Sequence, residues 1–141
     1  MPRIIPSKLD TDALASRLST RESLNCTRAY THKTSNVTTT STVNLLSLTH
    51  SSKTGRVLVF GVAPVRTSSR TSNLSVYVGS TQIGDNSPTR LADYVNLVVM
   101  EVASVTKGAA LTYYLKMSSQ STSDTATCEA YTAIRLMVVD I

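Results

Sequence analysis

The sequence predicts an all-β protein, an antiparallel sandwich or barrel of about eight strands behind an N-terminal arm. Three observations predict it. Serine and threonine supply 20 and 21 of the 141 residues, against one Phe, no Trp and two His. Short runs of Val, Leu and Ile alternate with polar residues, the period of a half-buried strand. Turn residues interrupt these runs at intervals of roughly 8–15 residues.

The first 24 residues stand apart from this pattern. Pro2 and Pro6 keep the start extended. Asp10 can cap a short helix in which Leu14 and Leu18 stand one turn apart. Such a helix is marginal alone, so the segment reads as an arm that needs something to pack on. The domain division is therefore 1–24 for the arm and 25–141 for the sandwich. Because the chain begins at Met1, the domain is expected to be a complete protein.

From Cys26 the period is two. Cys26 to Lys33 is the first strand, and Val37 to Thr42 is Thr-rich, as exposed strands often are. In Val43 to Thr49, Leu46 and Leu48 share a face with Asn44. The turn ending at Gly55 leads into Arg56–Val65, apolar on both faces: Leu58, Phe60 and Val62 on one, Val57, Val59 and Ala63 on the other. Such a strand sits centrally or beneath a neighbouring subunit. Pro64 places its end at an edge or out of the sheet.

The polar loop 66–72 follows. Asn73–Gly79 then points Leu74, Val76 and Val78 inward, and a turn at Gly79 reaches Gln82 and Ile83. Residues 84–88 read as a longer loop. Tyr94–Val105 is the longest strand, with Leu97, Val99 and Ala103 in one register. Lys107-Gly108 turns the chain into a strand lined by Leu111, Tyr113, Leu115 and Met117. After a polar loop through 118–125, the last strand runs from about Thr127 to Ile141, with Cys128, Ile134, Leu136 and Val138 on one face.

This order from Val43 onward carries a resemblance. A Leu-rich strand and Ser/Gly turn lead to Gly55-Arg-Val-Leu-Val-Phe-Gly-Val-Ala. The hairpin Asn73–Gly84, a long strand, a Lys-Gly turn, a Leu-Tyr-Tyr-Leu strand and an apolar final strand complete it. It resembles the small jelly-roll structural proteins of tailed bacteriophages: capsid cement or decoration proteins and related fibre tips. The resemblance implies a jelly-roll-like β-sandwich working in the virion, on the outer surface of the capsid. Its partner would be the major capsid protein, with self-association as a dimer or trimer. The arm suits a cement, which clamps neighbouring coat subunits. Arg3, Ile4, Ile5, Leu14, Arg17 and Leu18 are the candidate contact residues: the apolar ones gain burial, and the arginines can pair with an acidic coat surface. The alternative is a receptor- or glycan-binding fibre tip using the loops 66–72, 84–88 and 118–125.

Composition bears on the remaining classes. Only 16% of residues are charged, against about 25% in typical domains, which leaves surface free to lie against protein. The net charge is +5, but Arg and Lys are scattered singly, so direct nucleic-acid binding is not expected. No apolar run nears the roughly 18 residues of a membrane span, and the N-terminus lacks the apolar core of a signal peptide. The sequons at Asn25, Asn36 and Asn73 arise easily in a chain this rich in Ser and Thr. Cys26 and Cys128 read as two small reduced buried thiols, the other reading being a pair on neighbouring strands.

No catalytic, metal or cofactor site is expected, and the chain reads as non-enzymatic. There is no G-x-S-x-G turn. His32 and His50 lie in Thr/Ser-rich strand ends without adjacent carboxylates, and read as exposed. Asp85 and Asp93 lack calcium-loop spacing. Gly79–Gly84 lacks the Lys and helix of a phosphate loop. Glu101 stands in an apolar register and is expected either to pair with an arginine such as Arg135 or to face out. Tyr77, Tyr94, Tyr113, Tyr114 and Tyr131 fit a subunit contact better than a sugar-stacking platform.

Overall fold

A computed structural model describes residues 25–67, 72–87 and 93–141. The arm, with its short helix and its six candidate contact residues, lies outside the described residues. The rest forms ten antiparallel strands, and no helix occurs among the described residues. The strands are β1 (Cys26–Thr31), β2 (Val37–Thr39), β3 (Thr42–Ser51), β4 (Arg56–Thr67), β5 (Ser72–Val78), β6 (Thr81–Asn86), β7 (Val95–Ser104), β8 (Ala110–Ser119), β9 (Ala126–Cys128) and β10 (Ile134–Asp140).

Two sheets face each other. In one, here sheet A, β10 lies between β1 and β4, and β9 lies between β2 and β4. Val65 of β4 is opposite Cys128 of β9 and opposite Val95 of β7, so β9 and β7 flank β4 on different sides. Thus β9 and β10 occupy one track, as do β1 and β2, and sheet A has four tracks. Sheet B runs β3–β8–β5–β6. Counted by track, eight strands pair first with last (β1 with β10), second with seventh (β3 with β8), third with sixth (β4 with β7) and fourth with fifth (β5 with β6). This nested antiparallel pairing, folded over into two sheets, is the jelly roll.

The alternation seen in the sequence places the core. Val57, Val59, Ala63, Ile134, Leu136 and Val138 point in from sheet A, and Leu74, Val76, Tyr113, Leu115 and Met117 from sheet B, all essentially inaccessible to solvent. Burying each of the larger side chains contributes about 1.5–3 kcal/mol. Gly61 is the one inward position of β4 without a side chain. A Cβ there would fall 2.5 Å from Leu115 Cδ1 and 3.3 Å from Val99 Cγ1, so its absence lets Leu115 of the facing sheet reach the backbone of β4.

The structure departs from the sequence pattern at several points. A bulge between Asn44 and Leu46 turns Leu45 into the core, at 2% exposure, where strict alternation would turn it out. Residues 84–86 belong to β6 rather than a loop, while Arg66, Thr67 and Ser72 extend β4 and β5 into the expected loop 66–72. The final strand is broken, because Tyr131 takes a left-handed conformation (φ 60°) between β9 and β10.

That break also explains Pro64, which lies inside a central strand and not at an edge. In an antiparallel ladder a residue's N–H and C=O point to the same neighbour. The Pro64 carbonyl accepts from Glu129 N–H, at the gap between Val62–Arg135 and Val65–Cys128 pairing. The missing proline N–H therefore falls where the neighbouring track is dislocated.

Glu101 keeps its predicted inward register, opposite Val59, but does not pair with Arg135. Arg135 sits on the other face of the sheet, two tracks away. As part of an edge strand, Glu101 instead lies exposed over Gly84 of β6, where a Cβ on the glycine would be 2.9 Å from both Glu101 Cβ and Oε2.

Candidate interaction surface

The two outer faces of the sandwich differ in chemistry. On sheet B the outward residues of β3 and β8 include Ser47, Thr49, Thr112, Tyr114 and Lys116, a hydroxyl-rich surface suited to water. On sheet A the outward registers form largely apolar rows across all four tracks, with one arginine in two of them. One row is Cys26, Val139, Leu58 and Val102; the next is Arg28, Met137, Phe60 and Met100; the third is Tyr30, Arg135, Val62 and Val98. Met100 is 58% exposed and Val98 and Val102 42% each. A shallow trough of about 440 Å³ crosses β1, β10 and β4 beside Phe60 and Met137.

Sequence reasoning found half of this surface. The second apolar face of β4 is legible in the sequence, and the even-numbered residues of β7, Val98, Met100 and Val102, carry the same signal. At one corner the exposed rings of Tyr30, His32 and Tyr131 stand together, with centroids 6.3 and 6.5 Å apart in sequence. The Arg135 guanidinium lies 5.8 Å from the Tyr30 ring. The left-handed backbone at Tyr131 projects its side chain outward, 74% exposed.

Of the other tyrosines, Tyr113 is wholly buried and Tyr94 faces Arg66, while Tyr77 and Tyr114 stand opposite each other on the outer face of sheet B and share Lys116, whose ammonium sits 4.3 Å from the Tyr77 ring and 5.2 Å from Tyr114. The five tyrosines of the expected contact are therefore not brought together on one surface.

At the opposite side of the sandwich from β6 and β7, a buried polar network ties sheet to sheet. His50, expected to be exposed and without a carboxylate, is 3% exposed and bonded to Asp140. Its Nε2 donates to Asp140 Oδ1 at 3.0 Å, and its Nδ1 is 2.9 Å from the Thr27 hydroxyl. Asp140 Oδ2 accepts from Asn25 Nδ2 at 3.0 Å and from the Lys53 backbone N–H at 2.7 Å. Asn25 Nδ2 also donates to Ser51 O. Burial alone would push the Asp140 carboxyl up, but the bonds from His50, Asn25, Lys53 and Ser52 outweigh it and hold the group well below the usual carboxylate range. Acid, imidazole and hydroxyl form a chain here, with both ring nitrogens engaged inside the sandwich and the imidazole almost wholly buried. The arrangement is a clasp joining β1, β3 and β10.

The Tyr113 ring meets His50 edge-on at 6.4 Å, while its hydroxyl has no protein partner. Burial, then the nearby Asp140 charge, pushes its pKa up. An unpaired buried hydroxyl is destabilising by about 1–3 kcal/mol. Tyr113→Phe is therefore expected to leave stability unchanged or raise it by about 1 kcal/mol, read from urea denaturation midpoints; a loss of more than that would reveal a bond at this hydroxyl.

Cys26 and Cys128 are both free: Cys26 is half-buried on β1 opposite Val139, and Cys128 is buried in β9 between Val37 and Val65. Burial above all pushes the Cys128 thiol up to about 11, so it is inert. Among the described residues no three His, Cys, Asp or Glu side chains converge as a metal site.

No family model matches the chain, and no curated protein is similar to it. Solved structures share parts of its strand arrangement. A Stig cyclase, Fisc, from Fischerella sp. TAU is 11% identical over 65% of this chain and 54% of its own, with a TM-score of 0.44. The VP2 subviral particle of infectious bursal disease virus is 9% identical over 84% of this chain and 37% of its own, with a TM-score of 0.48. A Bacillus endospore appendage protein is 9% identical over 76% of this chain and 91% of its own, at 0.29. The chain thus spans about half the length of the cyclase. Likenesses at this level carry no argument about function.

Proposed function

We propose that this chain is a non-enzymatic structural protein of a tailed-phage virion, a cement or decoration protein that binds the outside of the head and stabilises contacts between coat subunits. One observation carries the reading: the jelly roll presents a hydroxyl-rich face on one side and an apolar face on the other. Scattered exposed apolar residues are ordinary, whereas a continuous patch spanning four tracks marks a contact surface. The order of elements from Val43 onward supports the phage setting. Binding to the assembled shell alone would favour that shell by mass action, with no chemistry required.

The arm extends the reading. Arg3, Ile4, Ile5, Leu14, Arg17 and Leu18 would reach an adjacent coat subunit, so that two weak contacts act as one. Deleting residues 1–24 is expected to leave the sandwich folded and to abolish binding to coat shells. Saturation of shells by the truncated protein would remove the arm from the mechanism. Copy number in purified virions, by mass spectrometry against the coat protein, tests the whole reading. Parity with the coat protein fits a shell-wide cement, a few tens of copies would indicate a fibre or vertex tip, and absence from particles would overturn it.

A further inference from the structure

We propose that the apolar outer face of sheet A docks on a coat-protein surface that pairs an apolar centre with carboxylates, and that a second copy of this chain does not cover it. This rests on the cement reading above. Four arginines stand in the outward registers of this face: Arg28 on β1, Arg56 and Arg66 on β4 and Arg135 on β10, with Arg66 lying over the Tyr94 ring. Among the described residues no strand places a carboxylate in these outward registers: Glu101 and Asp140 belong to the inward registers, Asp85 to sheet B, and Asp93, Asp124 and Glu129 to the segments between strands.

Arg28 ends the row of Met137, Phe60 and Met100 on the edge strand β1 and lines the trough beside Phe60 and Met137, so a partner seated there meets its charge. Arg135 is held against the Tyr30 ring, which limits the freedom its planar fork must lose on pairing. Any partner that covers the patch must desolvate these guanidiniums, and a desolvated charge left unpaired is costly. Two copies packed face to face would bring the arginines of both faces together with no carboxylate from the described strands between them. Like charges across an interface reject a partner, and complementary ones select it. A flat apolar centre with interspersed cations thus fits a sheet surface bearing Asp or Glu.

The test uses the full chain and, as probe, shells assembled from the virion's own coat protein in the absence of this chain. Arg28→Glu, Arg56→Glu and Arg135→Glu combined are expected to weaken binding at least about 100-fold. Met100→Asp is expected to weaken it at least about 30-fold. Wild-type binding should fall as salt rises from physiological strength to 1 M, where the screening length drops from about 8 to about 3 Å. Thermal melting confirms that both variants fold, since the altered groups are on the surface. If the charge-reversed protein binds as well as wild type while Met100→Asp does not, the carboxylate partner is wrong and the cement reading stands. If the isolated wild type sediments as an oligomer that Met100→Asp dissociates, a second copy covers the face and the inference is overturned. If wild type does not bind shells at all, the cement reading fails and takes the inference with it.

Discussion

Asp140→Ala is expected to cost about 3–5 kcal/mol, the range for removing one partner of a buried polar pair. The whole fold of such a domain is worth about 5–15 kcal/mol, so this variant should unfold at low urea. The loss exceeds that of an ordinary hydrogen bond because one carboxylate satisfies donors from three segments: His50 on β3, Asn25 ahead of β1 and the Lys53 amide after β3. Truncation leaves the buried His50 ring without its acceptor and breaks the two part-buried bonds as well.

Asp140→Asn separates charge from hydrogen bonding. An asparagine can keep its oxygen toward Asn25 and Lys53 and turn its amide toward His50. The imidazole then accepts at Nε2 and donates from Nδ1 to the Thr27 hydroxyl, which accepts as readily as it donates. That variant should lose only about 1 kcal/mol. It should also flatten the acid limb of stability. The native carboxyl titrates lower than the unfolded one, so Asp140 contributes fully above the unfolded value of about 3.9 and loses its contribution as pH falls through the native value. Urea midpoints from neutral pH down to the acid limb check both statements. Equal losses for Ala and Asn would show that charge, not donor satisfaction, dominates.

The second large effect is expected at Gly61. Adding one carbon brings it within 2.5 Å of Leu115 Cδ1, and Leu115 has no accessible surface through which to retreat. Overpacking by small increments costs about 1–3 kcal/mol, so Gly61→Ala should fall in that range and Gly61→Val at or above its top. Leu115→Ala alone should cost about 2–5 kcal/mol by opening a cavity in the same place. Combining Gly61→Ala with Leu115→Ala should then cost less than the sum, with a coupling of about 0.5–3 kcal/mol. Strict additivity in denaturation would mean that the two sheets do not meet at this glycine.

The fold was legible where one strand's own alternation decides it. The inward sets of β5 and β8, and the two-faced apolar character of β4, stand in the structure as the residues imply. What stayed hidden depends on partners distant in sequence. His50 looked isolated because its carboxylate is 90 residues away, on the last strand of the other sheet, and meets it only where the two sheets face each other. Leu45 enters the core through a bulge whose cause lies in the pairing with β8. Pro64 was misplaced because the dislocation that tolerates it arises at Tyr131, in the turn between β9 and β10. The interaction surface was half visible: apolar residues on both faces announce that a strand is covered twice, but not whether the second cover is its own chain or another.

The clasp at Asn25 also decides how the domain meets a pull. Asn25 is the first described residue, and load arriving from residues 1–24 enters the sandwich there. Its side chain holds Ser51 and Asp140, and its carbonyl accepts from the Asp140 amide at 2.9 Å. Tension is therefore divided between β3 of one sheet and β10 of the other before it reaches the first rung of β1. A pull on the start of β1 is thus met by both layers at once.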